Sequence, residues 1–282
     1  MAVKPVTVAV VQLASGVDPV SNVERATALT TRAASAGATY VQLPEYSNYR
    51  GPAKGYATVA ETIPGPTTAR LAELAQQLQI TVHVGSMFET TSDAAKVYNT
   101  SVVIAPSGEI VATYRKGHLF DVSVKGEVEH RESEHVAPGD QLVVAHLADF
   151  ALGLSICFDL RFSELYRQLA LSGATVLAVP SNFAVATGRV HWEVLLRARA
   201  IENHAFVVAA AQAGTTREGL SSFGHSMIVG PWGEIIAEST QDGEDVLVAT
   251  IDLEDVARRR SQIAVQSLRR PDLYRSLPDV DE

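Results

Sequence analysis

The order of apolar runs along the chain constrains its fold most. Short β-rich runs alternate with segments of helical periodicity, beginning with a predicted strand over residues 6–13 and a predicted helix ending near Gly37. A later helix, predicted from Thr67, carries one apolar stripe at positions i, i+3, i+4 and i+7: Leu71, Leu74, Ala75 and Leu78. This alternation predicts an α/β protein whose helices cover sheets.

Two turn motifs add antiparallel hairpins to this pattern. The sequence Pro-X-Gly-Glu-Ile occurs at 106–110 and again at 231–235, each time after an apolar run, and the second run is predicted as a strand over 223–229. Between the motifs, two predicted strands are separated by a helix, and a further helix is predicted over 190–204. We therefore expect mixed sheets, with two related halves stacked sheet on sheet.

No linker divides the chain into domains. We interpret residues 1–262 as one domain, and residues 263–282, which have few periodic apolar positions, as a C-terminal tail that docks on the domain or on a partner subunit.

Charge and cysteine content exclude several classes of function. The 282-residue chain has a net charge of −9 with scattered Lys and Arg, which disfavours nucleic acid and anionic membranes as partners. It has no signal-peptide pattern and no apolar run of transmembrane length, so we expect a cytoplasmic protein. Its single cysteine cannot form an internal disulfide. Chemistry on a small molecule is the expectation that remains.

Three reactive residues each come directly after a predicted strand: Glu45, Lys116 and Cys157. Strand ends are where α/β proteins place their sites. Taken singly, each has a structural explanation, as a loop carboxylate, a surface lysine and a buried core thiol. Together they supply the base, the cationic donor and the nucleophile that acyl transfer requires.

The segments around these residues resemble, in the same order, the three signature blocks of the nitrilase superfamily of carbon–nitrogen hydrolases. They are Leu-Pro-Glu at 43–45, Tyr-Arg-Lys-Gly-His-Leu-Phe-Asp at 114–121 and Ser-Ile-Cys-Phe-Asp-Leu-Arg-Phe at 155–162. Pro-Ser-Asn-Phe at 180–183 and Arg-Ala-Arg-Ala-Ile-Glu-Asn at 197–203 extend the likeness over nearly the whole chain.

The resemblance implies a four-layer αββα sandwich with mixed sheets, forming a homodimer or higher homo-oligomer, and needing no cofactor and no metal. Glu45 would be the general base, Lys116 the cation that stabilises the oxyanion, and Cys157 the nucleophile that forms a thioester. The family's second glutamate would be Glu132, although other glutamates crowd the same loop: Glu127, Glu129 and Glu134.

The implied substrate is a small amide, cut to a carboxylic acid and ammonia. The segment 157–162, with Thr187-Gly188 and His191-Trp192, is most similar to the ω-amidase and deaminated-glutathione amidase branch, so an amide is favoured over a nitrile or an N-carbamoyl compound. Segments 46–56 and 184–189 are expected to be loops that shape the pocket. Four residues are the candidate substrate contacts: Phe158, Arg161, Asn182 and Phe183.

Some of these residues allow another interpretation. Arg161 could bind a substrate carboxylate, or it could form a structural ion pair with Asp159 or Glu164. Phe158 and His204 stand where the family more often has tyrosine and glutamine, and both changes could alter the pocket.

Two rival functions stay open at this point. The sequence His-Arg-Glu-Ser-Glu-His at 130–135 could supply metal ligands for a metal hydrolase, although its spacing matches no common zinc signature. The same fold could also serve as a catalytically silent scaffold or small-molecule binder, because a fold does not fix a function.

Overall fold

A computed structural model describes residues 5–93, 95–124 and 128–274. The first half of the described chain carries α-helices α1 (Pro19–Ser35), α2 (Tyr56–Val59) and α3 (Pro66–Leu78), and the second half carries α4 (Ser163–Leu171), α5 (Val185–Asn203), α6 (Glu254–Gln262) and α7 (Pro271–Tyr274). Short 3₁₀ turns occur at Ala53–Gly55, Glu132–Glu134 and Cys157–Arg161.

The strands of the first half are β1 (Val6–Gln12), β2 (Tyr40–Gln42), β3 (Thr81–His83), β4 (Met87–Thr90), β5 (Val97–Ile104), β6 (Ile110–Arg115), β7 (Asp121–Val124) and β8 (Val128–Arg131). Those of the second half are β9 (Val144–His146), β10 (Ala151–Gly153), β11 (Val176–Ala178), β12 (Phe206–Ala209), β13 (Ala213–Thr215), β14 (Ser221–Phe223), β15 (Met227–Val229), β16 (Ile235–Glu238) and β17 (Asp245–Ile251).

Two large sheets organise these strands. The first has the order β17-β1-β2-β3-β5-β4, with β6 also paired to β5, and the second has the order β16-β15-β12-β11-β10-β9. Parallel pairs such as β1–β2 and β10–β11 lie beside antiparallel pairs such as β1–β17 and β12–β15. The sheets are therefore mixed, as the sequence predicts.

The two sheets pack face to face and are covered by helices on the outside. Val8 and Val10 of β1 lie in the same buried cluster as Leu152 of the second sheet, whereas Ala9 and Val11 point to the other face, toward the cluster that includes residues of α1 and α3. Helices α4 and α5 pack on the second sheet. The result is a four-layer αββα sandwich, which confirms the predicted fold class.

Both turn motifs form the predicted hairpins. They join β5 to β6 and β15 to β16. Gly108 and Gly233 in these turns have φ values of 82° and 85°, a conformation that is unfavourable for residues with a side chain. One predicted strand was wrong in its extent: residues 223–229 are interrupted at Gly224 and His225, both with positive φ, so Phe223 belongs to β14 instead.

Helix α5 begins five residues before the predicted start, at Val185. The expected pocket loop at 184–189 is therefore mostly the first turn of this helix. Within the described residues, no helix is both long and apolar enough to cross a membrane.

Candidate active site

The ends of three strands meet at one cavity. Glu45 follows β2 and Lys116 follows β6, both of the first sheet, whereas Cys157 follows β10 of the second sheet. All three line a cavity of about 460 Å³. The packing of the two sheets thus brings Cys157 close to Glu45, which lies more than 100 residues before it in sequence.

Lys116 lies between two carboxylates. Its Nζ is 3.0 Å from Glu45 Oε1 and 2.8 Å from Glu132 Oε2, and each of the three residues is only 1% exposed. An ammonium group has three N–H donors. Besides these two oxygens, Nζ is 3.1 Å from Glu132 Oε1, so the ammonium has hydrogen-bond contacts with three carboxylate oxygens.

The charges of this group support one another. Burial alone would lower the pKa of Lys116, but Glu132, Glu45 and Cys157 outweigh it, so the pKa is raised well above its ordinary value of 10.5. Burial would likewise raise the pKa of Glu132, but Lys116 and the bonds from Phe120 N–H and the Tyr46 hydroxyl lower it below 4.5. Lys116 and Glu132 are therefore both charged at neutral pH.

The Cys157 thiol is protonated at rest. Burial and then the nearby Glu45 carboxylate raise its pKa well above its ordinary value of 9.0, and Lys116 opposes this effect. Cys157 also has a φ of 48°, a left-handed conformation that is costly for a residue with a side chain, and its N–H donates to Pro180 O at 3.0 Å.

Asn99 and Tyr46 complete the network, and sequence reasoning missed both. Asn99 Nδ2 donates to Glu45 Oε1 at 2.9 Å and lies 3.5 Å from Glu132 Oε1, while the Tyr46 hydroxyl donates to Glu132 Oε1 at 3.1 Å. A signal for Asn99 did exist, since it begins a run of three fully buried polar residues in the otherwise apolar strand β5: Asn99, Thr100 and Ser101.

Glu132 is the glutamate of its loop that contacts Lys116. Glu129 also lines the cavity, Glu134 is exposed, and Glu127 lies outside the described residues. In the described part of the chain, no group of three or more His, Cys, Asp or Glu side chains is arranged to hold a metal ion. Glu132 contacts an ammonium instead of neighbouring histidines, so the geometry does not favour the metal-hydrolase alternative.

The four candidate substrate contacts all line the same cavity: Phe158, Arg161, Asn182 and Phe183. The backbone N–H of Asn182 donates to Glu45 Oε2 at 2.8 Å, and its side chain accepts from Ser222. Segment 46–56 also contributes to the wall, as expected.

The guanidinium of Arg161 lies 5.7 Å from the ring centre of Phe158 and 5.5 Å from that of Phe183, and its Nη1 is 3.2 Å from His191 Nδ1. The alternative interpretation of Arg161, a structural ion pair with Asp159, is not supported, because the Asp159 oxygens bind other donors. Glu164 forms no salt bridge to Arg161 within the described residues. The guanidinium is therefore open to an acidic ligand.

The expectation for His204 was wrong. This residue ends helix α5 in a left-handed conformation and does not line the cavity. It therefore has no direct effect on the shape of the pocket.

Comparison with known proteins identifies the family. Residues 7–261 match the sequence profile of the carbon-nitrogen hydrolase family. The chain belongs to the carbon–nitrogen hydrolase family. Two curated members are similar to it: the omega-amidase NIT2 of Xenopus tropicalis, 41% identical over 90% of this chain and 91% of that protein, and the deaminated glutathione amidase of Mus musculus, 40% identical over 96% and 85%.

A solved structure of the family agrees with the fold. Saccharomyces cerevisiae Nit3, a member of branch 10 of the nitrilase superfamily, superimposes with a TM-score of 0.86 at 30% identity, covering 96% of this chain and 100% of that chain. The predicted membership of the nitrilase superfamily is therefore confirmed.

Proposed function

We propose that this carbon–nitrogen hydrolase cleaves the terminal amide of a small ω-amide acid to a carboxylate and ammonia, through a thioester on Cys157. The observation that carries the proposal is the buried ammonium of Lys116, hydrogen bonded to Glu45 and Glu132 beside the thiol in one cavity. The names of the similar proteins, an omega-amidase and a deaminated glutathione amidase, support the amide as substrate.

Acylation begins when Glu45 accepts the thiol proton. The sulfur of Cys157 attacks the amide carbon, and the electron pair of the C=O bond moves to the oxygen, where the positive charge of Lys116 stabilises the negative charge. The raised pKa of Lys116 keeps this cation charged over the working pH range. When the C–N bond breaks, Glu45 returns its proton to the nitrogen, and ammonia leaves.

Deacylation uses the same groups with water as the nucleophile. Glu45 takes a proton from water, the hydroxide adds to the thioester carbon, and Lys116 again stabilises the oxyanion. The C–S bond then breaks, the acid is released and Glu45 returns the proton to the sulfur. Glu132, whose pKa is lowered, stays ionised and holds Lys116 in place throughout.

The carboxylate of the substrate would bind to Arg161. This guanidinium lies between two aromatic rings at the cavity wall, without a carboxylate partner among the described residues. A guanidinium held in this way can form a two-pronged hydrogen-bonded pair with a carboxylate. Phe158, Asn182 and Phe183 would shape the remaining wall.

The function is tested by measuring ammonia released by wild type and by Cys157→Ala from succinamate, a simple neutral amide, N-carbamoyl compounds and nitriles. We expect release from succinamate by wild type, a loss of about 10⁴-fold or more in Cys157→Ala, and an acyl-enzyme in wild type by mass spectrometry. Ammonia from nitriles alone, or equal rates for both proteins, would contradict the proposal.

The role of Arg161 is tested by comparing succinamate with butyramide, which lacks the carboxylate. Arg161→Gln should lower kcat/KM for succinamate by about 10- to 100-fold, since a hydrogen bond to a charged group contributes about 1.5–3 kcal/mol, and should leave butyramide hydrolysis unchanged. Arg70→Gln, which changes an exposed arginine of α3 that does not line the cavity, is the control. An equal effect on both substrates would argue against carboxylate binding, as would full activity of Arg161→Lys.

We propose the same single-domain organisation as the sequence predicts, with residues 1–262 as the catalytic domain and 263–282 as a tail. The family match ending at residue 261 and the pairing of β1 with β17 support it. A homodimer or higher homo-oligomer in the cytoplasm completes the proposal, and exposed apolar residues along helix α5 support self-association: Val190, Val194 and Ile201.

A further inference from the structure

Asp159 is a fully buried carboxylate two residues after Cys157, and it does not line the cavity. Its Oδ1 accepts from the backbone N–H of His118 at 3.0 Å and lies 2.7 Å from His118 Nδ1. Its Oδ2 accepts from the Tyr114 hydroxyl and from Ile156 N–H, both at 2.8 Å. An ionised carboxylate can only accept hydrogen bonds, which suits these partners.

These bonds join the two segments that carry the reactive groups. Tyr114 and His118 stand two positions before and two positions after Lys116, while Ile156 and Asp159 flank Cys157. The strand that delivers the ammonium belongs to the first sheet, and the turn that delivers the sulfur follows a strand of the second. Asp159 therefore links the two sheets directly beside the site.

His118 holds the cysteine turn through a second contact as well. Its imidazole stacks on the ring of Phe162, which ends this turn, with ring centres 3.6 Å apart and planes within 10°. The backbone of Lys116 itself is tied to the first sheet, because its N–H donates to Asn99 O at 2.9 Å. Lys116 is thus fixed to the first sheet. His118 and Asp159 then hold its segment against the cysteine turn that follows the second sheet.

We propose that Asp159 and His118 form a positioning pair that sets the distance between Lys116 Nζ and Cys157 Sγ. Neither residue needs to touch substrate, since both act through the segments they join. For its kinetic consequence the proposal rests on the amidase function above, because a displacement of about 1 Å at a reacting group can cost about 10²-fold in rate.

The experiment compares His118→Ala with His118→Asn, whose side-chain amide can donate in place of Nδ1. With succinamate, His118→Ala should lower kcat by about tenfold or more while KM changes little, because the reacting groups are displaced and the cavity wall is not. His118→Asn should restore most of kcat. Glu238→Ala is the control. It breaks a second histidine–carboxylate pair, in which His225 Nδ1 and Glu238 Oε1 are 2.9 Å apart and neither residue lines the cavity, and it should match wild type.

A second measurement does not depend on turnover. Lys116 opposes the rise in the pKa of Cys157, so a displaced Lys116 should slow alkylation of the thiol by iodoacetamide at pH 8 in His118→Ala and not in His118→Asn. The proposal would be wrong if His118→Ala kept the wild-type kcat, or if His118→Ala and His118→Asn lost kcat equally. If wild type hydrolyses no amide, the proposed function fails, and the alkylation rates alone then decide on the pair.

Discussion

At the scale of single residues, the site depends on a buried cation shared by two acids. Burying a charge is costly unless it is paired and hydrogen bonded. Lys116 meets this condition through Glu45 and Glu132, and Glu132 in turn accepts from Phe120 N–H at 2.7 Å and from the Tyr46 hydroxyl. The same bonds that stabilise the fold therefore also fix the charge that the proposed mechanism uses.

Glu132 should make stability depend on pH in acid. Its folded pKa lies below the ordinary value of 4.5, so its contribution is fully present above the unfolded pKa and is lost as pH falls through the folded value. Glu132→Gln should be less stable at pH 7 by about 1.5–3 kcal/mol, and its free energy of unfolding should fall less steeply below about pH 4.5. Urea unfolding between pH 3 and 8 measures this. An acid dependence as steep as that of wild type, or a similar effect of exposed Glu109→Gln, would contradict it.

Asn99 should matter for rate more than its neutral side chain suggests. Its amide donates toward Glu45 and Glu132, the two carboxylates of the proposed site, so Asn99→Ala should lower kcat by about 10- to 100-fold because these groups are displaced. Thr100→Val is a matched control, since it also removes a buried donor to a glutamate, with a 2.7 Å bond from Thr100 Oγ1 to Glu89 Oε2. Equal kinetic losses in both variants would show that stability alone explains the effect.

The sequence predicted the reactive residues better than the residues that hold them in place. Glu45, Lys116 and Cys157 could be singled out because their chemistry is distinctive and each follows a strand. Asn99 and Asp159 are ordinary residue types whose importance depends on contacts with segments distant in sequence, such as the 2.9 Å bond from Asn99 to Glu45. The polar run in β5 marks Asn99 as unusual, but no local pattern specifies its partners, so the contacts became visible only in three dimensions.

At the scale of elements, helix α5 forms part of the cavity wall and packs closely on β14. A Cβ atom added at Gly188 would lie 2.4 Å from Cγ of Phe223. The neighbours Ala184 and Thr187 line the cavity, as do Ser221 and Ser222 of β14 and the residue before it, Leu220. A shift between the two elements would therefore change the pocket.

Gly188→Ala should destabilise the protein by about 1–3 kcal/mol, because a well-packed contact must open, and should raise KM for succinamate more than it lowers kcat. Thermal unfolding and steady-state kinetics measure the two effects. Gly243→Ala is the control, since a Cβ there meets nothing within 4 Å. If both variants keep wild-type KM, α5 does not set the shape of the pocket.

Element types followed from periodicity, whereas several boundaries did not. The stripe of α3 and the two Pro-X-Gly-Glu-Ile turns gave the helix and both hairpins, because local spacing and turn chemistry specify them. The first turn of α5 was missed, since residues 185–189 carry no capping signal: the N-cap, Ala184, makes no side-chain hydrogen bond. Tertiary packing of Gly188 against Phe223 accompanies the helical conformation there.

At the scale of the whole molecule, the outer face of helix α5 exposes apolar side chains to solvent. Val190 and Val194 are 67% and 65% exposed, and Ile201 lies two turns further along the same face. We expect this stripe to lie in a contact between two copies of the chain.

Val194→Asp should lower the molar mass measured by sedimentation, because a buried unpaired charge opposes association. Val20→Asp changes an equally exposed valine on α1 and should not alter the mass. A wild-type monomer, or unchanged mass in Val194→Asp, would contradict self-association through α5.

The division of the reactive groups between two sheets has a further consequence. Neither half of the sandwich contains all the residues of the proposed mechanism, so we expect turnover to require that the two sheets remain packed against each other. If mild urea separates the two sheets but leaves the secondary structure intact, the far-UV circular dichroism signal should persist. Ammonia release should then be lost. Catalysis can thus serve as a sensor of interlayer closure.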